Sequence, residues 1–316
     1  MTEWKIPLSA FKYREGETKW RVNSYMRNTK SNSWITWSLA PENLMFFNLA
    51  FTGDMYFERP LGKSISKKSF IPYINSIAYN DFPNDIKEDD FEFGGDAKFI
   101  LDNSLTLDLT VNPDFSQVEV DQQVTNLTRF EISLPEKRQF FIENSDLFTE
   151  LGNGREARPF FSRRIGIAKD LDGNNIQNKI IAGLRLSGNI NKKLRIGLLN
   201  MQTKQDLDNE ISAYNNSIFV LQQKVFGRSN FNAFFINRDA TSNYDFLESN
   251  EKFNRVLGFD YNLRDVNSKW SGKYYFHKSY SPENNDDSTS FGVSTTYETR
   301  TFSTRIAGSY IGEDFR

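Results

Sequence analysis

Apolar and polar residues alternate along most of the chain from about residue 69 onward. The clearest case is the segment Leu105–Asn112, in which leucines and a valine occupy every second position and Thr106, Asp108, Thr110 and Asn112 lie between them. Successive side chains of a strand point to opposite faces, so a period of two indicates a strand with one apolar and one polar face. The pattern therefore predicts strands that are half apolar and half polar.

The same alternation, interrupted by turn residues, predicts a series of consecutive strands. Segments 179–190, 253–263 and 301–310 show it clearly, and 216–226 and 230–240 show it less cleanly. Strand boundaries taken from sequence are uncertain by a few residues. The predicted strands are 69–80, 91–101, 104–112, 179–190, 194–204, 216–226, 230–240, 252–263, 267–279, 289–298 and 301–311.

The connections between these strands alternate between short and long. The links at 102–103, 191–193, 227–229, 264–266 and 299–300 are tight, whereas 81–90, 113–178, 205–215, 241–251 and 280–288 are long and polar. Outer-membrane barrels combine short periplasmic turns with long outer loops. The pattern thus favours an all-β, antiparallel, up-and-down transmembrane β-barrel with a long, partly helical plug or loop insertion at 113–178.

Composition is compatible with this prediction and excludes some other classes. The mean hydropathy is −0.59, but only every second residue of a barrel strand has to face lipid. No stretch approaches the roughly 18 apolar residues of a membrane-spanning helix. The net charge of −2 argues against nucleic-acid binding, and the lack of cysteine excludes disulfides and thiolate metal sites.

The N-terminal region has a different pattern, which divides the chain into residues 1–58 and 59–316. Segments 3–13, 18–26 and 34–38 are tryptophan-rich and strand-like, and 44–58 is a further strand or linker. They predict the last strands of a β-sandwich. Eleven barrel strands is an odd number, whereas bacterial single-chain barrels have even numbers. The first residues also lack a signal-peptide pattern, so we expect a fragment of a longer protein.

Four motifs in and around the insertion carry a resemblance to a known family. They are Asn112–Glu119 (NPDFSQVE), Asn126–Glu131 (NLTRFE), Pro135–Glu143 (PEKRQFFIE) and Ser162–Gly166 (SRRIG). The chain resembles a family of bacterial outer-membrane proteins whose barrel is a domain of unknown function. In that family the barrel follows a domain similar to family 9 carbohydrate-binding modules. The resemblance implies that residues 1–58 are the closing strands of such a module.

The insertion 113–178 is the predicted functional element because it is dense in charge. The candidate residues for ligand binding or for a network that holds a plug are Asp114, Glu119, Arg129, Glu131, Glu136, Arg138, Glu143, Arg163 and Arg164. Guanidinium groups suit carboxylates, so a network of internal ion pairs is the favoured interpretation. Residues 122–134 have helical spacing of their apolar positions. Glu131 and Glu136 could also form a glycosidase pair, but the sequence does not establish their separation.

Other chemistry-bearing residues have simpler interpretations. The single histidine, His277, is predicted to face the barrel interior, opposite Trp270 and Phe276, and it has no Gly-x-Ser-x-Gly motif to form a triad with. Residues 170–174 begin like a calcium loop but lack the acidic residue at position 12, which favours a turn. The tryptophans at 4, 20, 34 and 37 are expected to fill a sandwich core. We assign no catalytic residue, metal or cofactor.

These observations lead to two functional hypotheses. The first is an outer-membrane barrel, with its N-terminal part in the periplasm, that passes, captures or handles a molecule such as a glycan at the cell surface. Its partners would be outer-membrane lipid, the barrel-assembly machinery and possibly a glycan, but not nucleic acid. The alternative is a soluble or surface β-protein that binds or cleaves glycans, which would not explain the alternation of short and long links. A receptor with a separate plug domain would need a longer chain.

Overall fold

The computed structural model describes most of the chain, in two compact units, Met1–Lys67 and Lys68–Arg316. The residues outside the description are 1–4, 7, 9–10, 12, 14, 40–48, 63–67, 82–85, 103, 114–135, 155–156, 172, 174 and 284. The side chains of residues 77, 79–81 and 86–90 are also outside it. The described residues form an all-β protein with short helical segments.

The first unit contains two small antiparallel ribbons. Strand β1 (Lys19–Val22) pairs with β4 (Gly53–Tyr56), and β2 (Tyr25–Asn28) pairs with β3 (Ser33–Thr36). Trp20 is surrounded by the rings of Phe11, Tyr13 and Phe57, at centroid distances of 5.1, 5.8 and 5.0 Å. This aromatic cluster is the local packing centre of the β1–β4 ribbon.

The first unit departs from the predicted strands and tryptophan core. Segment 18–26 contains parts of two strands, and the described residues of 3–13 form none. Trp34 and Trp37 remain 46% and 59% exposed, and Trp4 lies outside the described residues. The prediction that the tryptophans fill a core is thus wrong for Trp34 and Trp37, because a two-stranded ribbon buries a large ring only where another layer covers it.

The second unit is built on one antiparallel sheet of eleven strands. In space the strands follow their order along the chain, and β5 and β17 are the two edges. The strands are β5 (Lys68–Asp81), β6 (Ile86–Asp102), β7 (Leu105–Val111), β10 (Ile180–Asn189), β11 (Leu194–Thr203), β12 (Tyr214–Val225), β13 (Ser229–Ala240), β14 (Phe253–Arg264), β15 (Trp270–Tyr280), β16 (Thr289–Glu298) and β17 (Ser303–Ile311).

All eleven strands predicted for this region are present in the sheet, and most of their limits agree within three residues. The predicted long link at 81–90 is wrong, because β5 and β6 extend into it from both sides and pair from Lys68–Phe99 to Asp81–Ile86. The polar sequence there resembled a loop. Backbone pairing between strands does not require an apolar side-chain face, so a polar segment can still continue a hairpin.

The lengths of the links differ between the two ends of the sheet. Because neighbouring strands run in opposite directions, every second link lies at the same end. One end carries the links at residues 103–104, 190–193, 226–228, 265–269 and 299–302. The other end carries 82–85, 112–179, 204–213, 241–252 and 281–288. The long connections are therefore all at one end of the sheet, where 82–85 is the single short link between sheet strands.

The insertion 112–179 supplies further regular elements. They are the short helices α1 (Gln139–Ile142) and α2 (Asp146–Thr149), a 3-10 turn at Ser162–Arg164, and a hairpin of β8 (Ile167–Lys169) and β9 (Asn175–Gln177). The predicted helix over 122–134 lies outside the described residues. Among the described residues, no helix has the length and apolar character required to cross a membrane.

The sequence predicted a turn at 170–174, and the described residues of this segment form one between β8 and β9. The amide of Gly173 donates to the carbonyl of Asp170 at 3.0 Å, and Gly173 has a φ of +83°. In the described part of the chain, no group of three or more acidic or histidine side chains could hold a metal ion.

The two faces of the sheet have inverted polarity. The face against the insertion, here called the inner face, buries polar residues such as Asp108, Arg185 and Asp260. The opposite, outer face exposes large apolar side chains. Exposed residues on the outer face include Phe219, Leu221, Phe231, Phe235, Leu257, Phe259, Phe276, Phe291 and Val293. A sheet of a water-soluble protein normally has the reverse arrangement.

The inner face accommodates bulky side chains opposite glycines. A Cβ on Gly258 would lie 2.1 Å from Cζ of Phe234, which is 2% exposed and part of the core. Glycine at this position therefore makes room for the ring from the neighbouring strand.

We expect Gly258→Ala to lower the free energy of unfolding by about 1–3 kcal/mol, because the Phe234 ring must leave its position in a filled core. Gly308→Ala on β17 is the matched control, since a Cβ there has no neighbour within 4 Å, and its effect should stay within about 0.5 kcal/mol. Denaturant titration of both variants measures the difference. Equal effects would contradict this packing argument.

Candidate functional site

The candidate site is the interface between the insertion and the inner face of the sheet. An apolar part of this interface is formed by Leu147, Phe148 and Leu151 of the insertion. They belong to one buried cluster with Leu199, Met201, Ile218, Val220, Phe234 and Val256 of the sheet. A Cβ on Gly197 would lie 2.8 Å from the Phe148 ring, so the absence of a side chain there lets the insertion approach the sheet closely.

Beside this apolar contact lies a buried charged cluster whose position depends on strand register. Lys98, Asp108 and Arg185 are direct cross-strand neighbours on β6, β7 and β10. Arg185 is 1% exposed, and its Nε and Nη2 donate to Oδ2 of Asp108 at 3.2 and 2.8 Å. Lys98 lies 3.5 Å from the other carboxylate oxygen of Asp108. Direct cross-strand pairing of opposite charges stabilises a sheet.

Glu143 connects this cluster to the insertion. Its carboxylate pairs with Lys98 and lies 3.7 Å from Nη2 of Arg185. Its backbone carbonyl accepts a hydrogen bond from Nη1 of Arg185 at 2.7 Å. The neighbouring residue Asn144 donates to the hydroxyl of Ser187 at 3.0 Å. The insertion thus neutralises the positive charge that the sheet buries.

A second set of charges lies within the insertion itself. Nε and Nη2 of Arg138 donate to the two carboxylate oxygens of Glu136, each at 2.8 Å. The guanidinium also donates to the carbonyls of Ile165 at 2.6 Å and Ser162 at 2.7 Å. The guanidinium carbon of Arg138 also lies 4.2 Å from the centroid of the Phe141 ring. Arg138 therefore joins the segment before α1 to the turn at 162–165.

The environment of Glu136 keeps its carboxylate charged. Burial alone would raise the pKa of Glu136, but hydrogen bonds from Arg138, the charge of that guanidinium and the Ser162 hydroxyl outweigh burial and lower the pKa below its usual range. Charged hydrogen bonds of this bidentate kind are among the stronger ones in proteins. The ion pair therefore stabilises the insertion at neutral pH.

A third polar cluster lies on β14 and β15, where the insertion makes its last contact. Asp260 and His277 are fully buried, and Nε2 of His277 lies 2.8 Å from Oδ1 of Asp260. The other carboxylate oxygen accepts the amide of Gly152 at 2.7 Å and lies 3.6 Å from Nζ of Lys273. Lys273 also donates to the carbonyl of Glu150. His277 faces the inner side opposite Phe276, as its strand position predicted.

The Asp260–His277 pair has two of the three groups of a Ser-His-Asp triad. Ser290 is the register partner of His277 on β16, but neither the Ser290 hydroxyl nor Nδ1 of His277 has a hydrogen-bond partner among the described residues. The two groups are therefore not bonded to each other, whereas a triad needs that bond. The arrangement holds the insertion against the sheet through the carboxylate of Asp260.

The predicted site residues do not form one cluster among the described residues. Asp114, Glu119, Arg129 and Glu131 lie outside those residues, so the proposed glycosidase pair falls outside as well. Glu136 pairs with Arg138, and Glu143 pairs with the sheet. Both remaining residues belong to the 162–164 turn, where Arg163 is buried and Arg164 is exposed. The predicted set thus divides into contacts inside the insertion and contacts with the sheet.

The sequence prediction missed the sheet side of the interface. Asp108, Arg185 and Asp260 appear in the sequence only as members of a polar strand face. The available signal was a charged residue in the middle of an otherwise clean alternation, as in LTLDLTV and LRLSG. A charge at the centre of a buried face needs a partner, and that partner lies far away along the chain.

The fold and this interface define an all-β protein whose eleven-stranded antiparallel sheet is covered on its polar face by its own insertion. A family model described as a domain of unknown function (DUF5916) matches residues 66–313, and the chain belongs to this family. The matched region coincides closely with the second unit. No similarity to a curated protein or to a solved structure was found.

We expect Arg185→Met to lower the free energy of unfolding by about 3–5 kcal/mol, because Asp108 and Glu143 lose their buried cation and keep Lys98, which is partly exposed. The control is Arg255→Met, which removes an exposed ion pair with Asp239 and should cost about 0–1 kcal/mol. Denaturant titration compares the two variants. Similar losses would contradict a special role for the buried cluster.

Acid should loosen the insertion through Glu136. Because the folded-state pKa of this carboxyl is lowered, its contribution is present above the unfolded pKa of about 4.3 and is lost as the pH falls through the folded pKa. Hydrogen–deuterium exchange of residues 136–142, corrected for intrinsic pH dependence, should rise below about pH 4.3. Glu136→Gln should weaken protection at neutral pH and remove this pH step. If hydrogen–deuterium exchange of residues 136–142 still rises at low pH in Glu136→Gln, another group causes the rise.

Proposed function

We propose that the eleven-stranded sheet is part of an outer-membrane β-barrel and that the insertion fills its interior as a plug. The observation that carries the proposal is the inverted polarity of the sheet. Its outer face exposes many phenylalanines and aliphatic residues, whereas its inner face buries charges and hydroxyls beside the apolar cluster under the insertion. In water such an apolar surface is a site of association or aggregation, but in lipid it is favourable.

The lengths of the strands support a membrane location. Strands β10 to β17 have 9 to 12 residues, and a tilted transmembrane strand needs about 9–11 residues. Tight links at one end and long links at the other match the periplasmic and outer ends of such barrels. We therefore place the tight links in the periplasm and the long links at the cell surface.

Aromatic residues on the outer face lie near both strand ends. Close to the tight links, Trp270 pairs with Tyr297 at 4.8 Å and Tyr261 lies 6.0 Å from Tyr274. Toward the long links, Tyr310 stacks on Phe291 at 5.2 Å. Tyrosine and tryptophan prefer the boundary between lipid and water, where the ring is apolar and the polar group is hydrated.

The function that follows is passage or capture of a molecule at the cell surface. The plug begins and ends at the long-link end and is held by discrete polar contacts at Glu143, Asp146 and Gly152, together with an apolar contact at α2. A plug held in this way blocks the interior while it is in place. The residues in the first unit would then lie in the periplasm, and a glycan remains the proposed molecule to test first.

The deciding experiment is to express the gene with its native upstream sequence and fractionate the cell envelope. Outer-membrane location and heat-modifiable migration in detergent would support the proposal. A detergent-independent monomer in the aqueous fraction would overturn it and favour the glycan-binding or glycan-cleaving β-protein.

A charge on the outer face provides a residue-level prediction. Phe259→Arg should reduce the amount of folded protein in the outer membrane, because an arginine near the membrane midplane costs about 2–4 kcal/mol. Leu207→Arg is the matched control, since Leu207 is exposed in the 204–213 link and should tolerate the charge. Quantitative blotting of the heat-modifiable protein measures the amount of folded protein for each variant. Equal amounts for the two variants would argue against lipid contact at Phe259.

A further inference from the structure

The inner face of the sheet continues beyond the insertion toward the tight links, and there it carries cations. Lys224, Arg264 and Arg305 occupy inner-face positions in the strand register, and all three side chains are exposed. Lys273 lies on the same part of the face and is the register partner of Asn262. We call Lys224, Arg264, Lys273 and Arg305 the basic surface. Because three of its members are exposed, the described part of the insertion leaves this surface open.

The cations of the basic surface differ in pairing from those under the insertion. Arg185 and Arg195, which the insertion contacts, have carboxylate partners at 2.8 and 2.6 Å. Among the described residues, Lys224, Arg264 and Arg305 form no ion pair. Accessible cations without nearby counter-charges attract anions from solution. The basic surface therefore has charge available for a ligand, whereas the cations under the insertion serve its attachment.

Side-chain amides and hydroxyls separate these cations. Two rows of cross-strand neighbours form this part of the inner face. The first row is Lys224, Asn230, Asn262, Lys273 and Ser294, and the second is Arg264, Ser271, Thr296 and Arg305. Neither of these described rows contains a carboxylate. Amides and hydroxyls both donate and accept hydrogen bonds, so the rows fit a molecule that carries hydroxyls as well as negative charges.

The spacing of the cations indicates an extended ligand. Lys224 lies on β12 and Arg305 on β17, five strand spacings apart in the sheet, which is about 24 Å measured along it. A small anion reaches one of these cations at a time. A chain with repeated acidic groups contacts several, and each further contact forms at the high effective concentration that the first contact creates.

The two ends of the sheet have opposite charge. Three long links carry nine carboxylates and two lysines, whereas four tight links carry one carboxylate and five cations. They are the long links 204–213, 241–252 and 281–288 and the tight links 190–193, 226–228, 265–269 and 299–302. Such a distribution steers anions toward the basic end. The links and the basic surface thus favour a ligand of the same sign at the same end.

We infer that the basic surface binds an acidic glycan, a carbohydrate chain that bears negatively charged groups. The cations pair with its acidic groups, and the asparagine, serine and threonine side chains bind its hydroxyls. Lys273 connects this surface to the plug, because its ammonium lies 3.6 Å from Asp260 and donates to the carbonyl of Glu150. The inference rests on the proposed function, since the inner face lines a passage only if the sheet is part of a barrel.

Binding by the full chain, expressed with its native upstream sequence and purified in nonionic detergent, tests this inference. The probe is a fluorescently labelled oligogalacturonate, and the matched probe is its methyl ester, which has the same sugars without the charges. Fluorescence anisotropy at neutral pH should show that the oligogalacturonate binds at least about tenfold more tightly than the methyl ester. Added salt should weaken this binding, because exposed ion pairs are screened.

Two triple variants locate the binding. The first replaces the three unpaired cations of the basic surface and should weaken oligogalacturonate binding about tenfold, because three exposed ion pairs are lost. It is Lys224→Gln, Arg264→Gln and Arg305→Gln. The control removes the same number of charges at the long-link end and should bind like the unchanged chain. It is Lys204→Gln, Lys252→Gln and Lys278→Gln. Circular dichroism in the same detergent checks that both variants are folded.

Several outcomes would overturn the inference. They are equal binding of the methyl ester, equal losses in the two triple variants, and equal or tighter binding of an oligoglutamate with the same number of charges, which would assign the surface to an acidic peptide. If the first triple variant does not fold, the comparison of the two glycan probes still decides.

The result also separates this inference from the proposed barrel. An outer-membrane location without preference for the acidic probe would overturn the binding surface alone. Preference for the acidic probe by a detergent-independent protein of the aqueous fraction would overturn the barrel and support the binding surface.

Discussion

The buried guanidinium of Arg185 sets the arrangement of the insertion. A cation in the middle of a sheet cannot stay without counter-charges, because the loss of hydration costs several kcal/mol per ion. Arg185 and the nearby Lys98 need two counter-charges. Asp108 supplies one from the strand between them, and Glu143 supplies the other from the insertion. The insertion must therefore return to the inner face, and once it does, Leu147 and Phe148 reach the apolar part of that face.

The polar inner face has a direct consequence for the outer face. Strand geometry sends alternate side chains to opposite sides, so residues that alternate with Asp108, Arg185 and Asp260 must lie on the outer face. These residues are leucine, phenylalanine, tyrosine and related apolar types. One sheet therefore combines an interior that needs polar partners with an exterior that needs an apolar environment, and the proposed membrane barrel meets both needs.

The strands of the eleven-stranded sheet were predictable because their signal is local. A strand such as Leu105–Val111 shows its two faces within seven residues, and turn residues mark its ends. The hairpin through 81–90 escaped prediction because its pairing does not rely on an apolar face. In the first unit, Trp34 and Trp37 were predicted to be buried from residue type alone, but their burial depends on a covering layer that residue type does not specify.

The sequence by itself determined the strand order, the polarity of each strand face and the position of the long insertion, because all three are encoded by neighbours along the chain. Only the tertiary structure decided which charges meet. Arg185 pairs with Asp108, Asp260 with His277, and the amide of Gly152 reaches Asp260 across 108 positions. Such pairs depend on strand register and on where the insertion folds back. A single sequence holds no record of distances between residues so far apart along the chain.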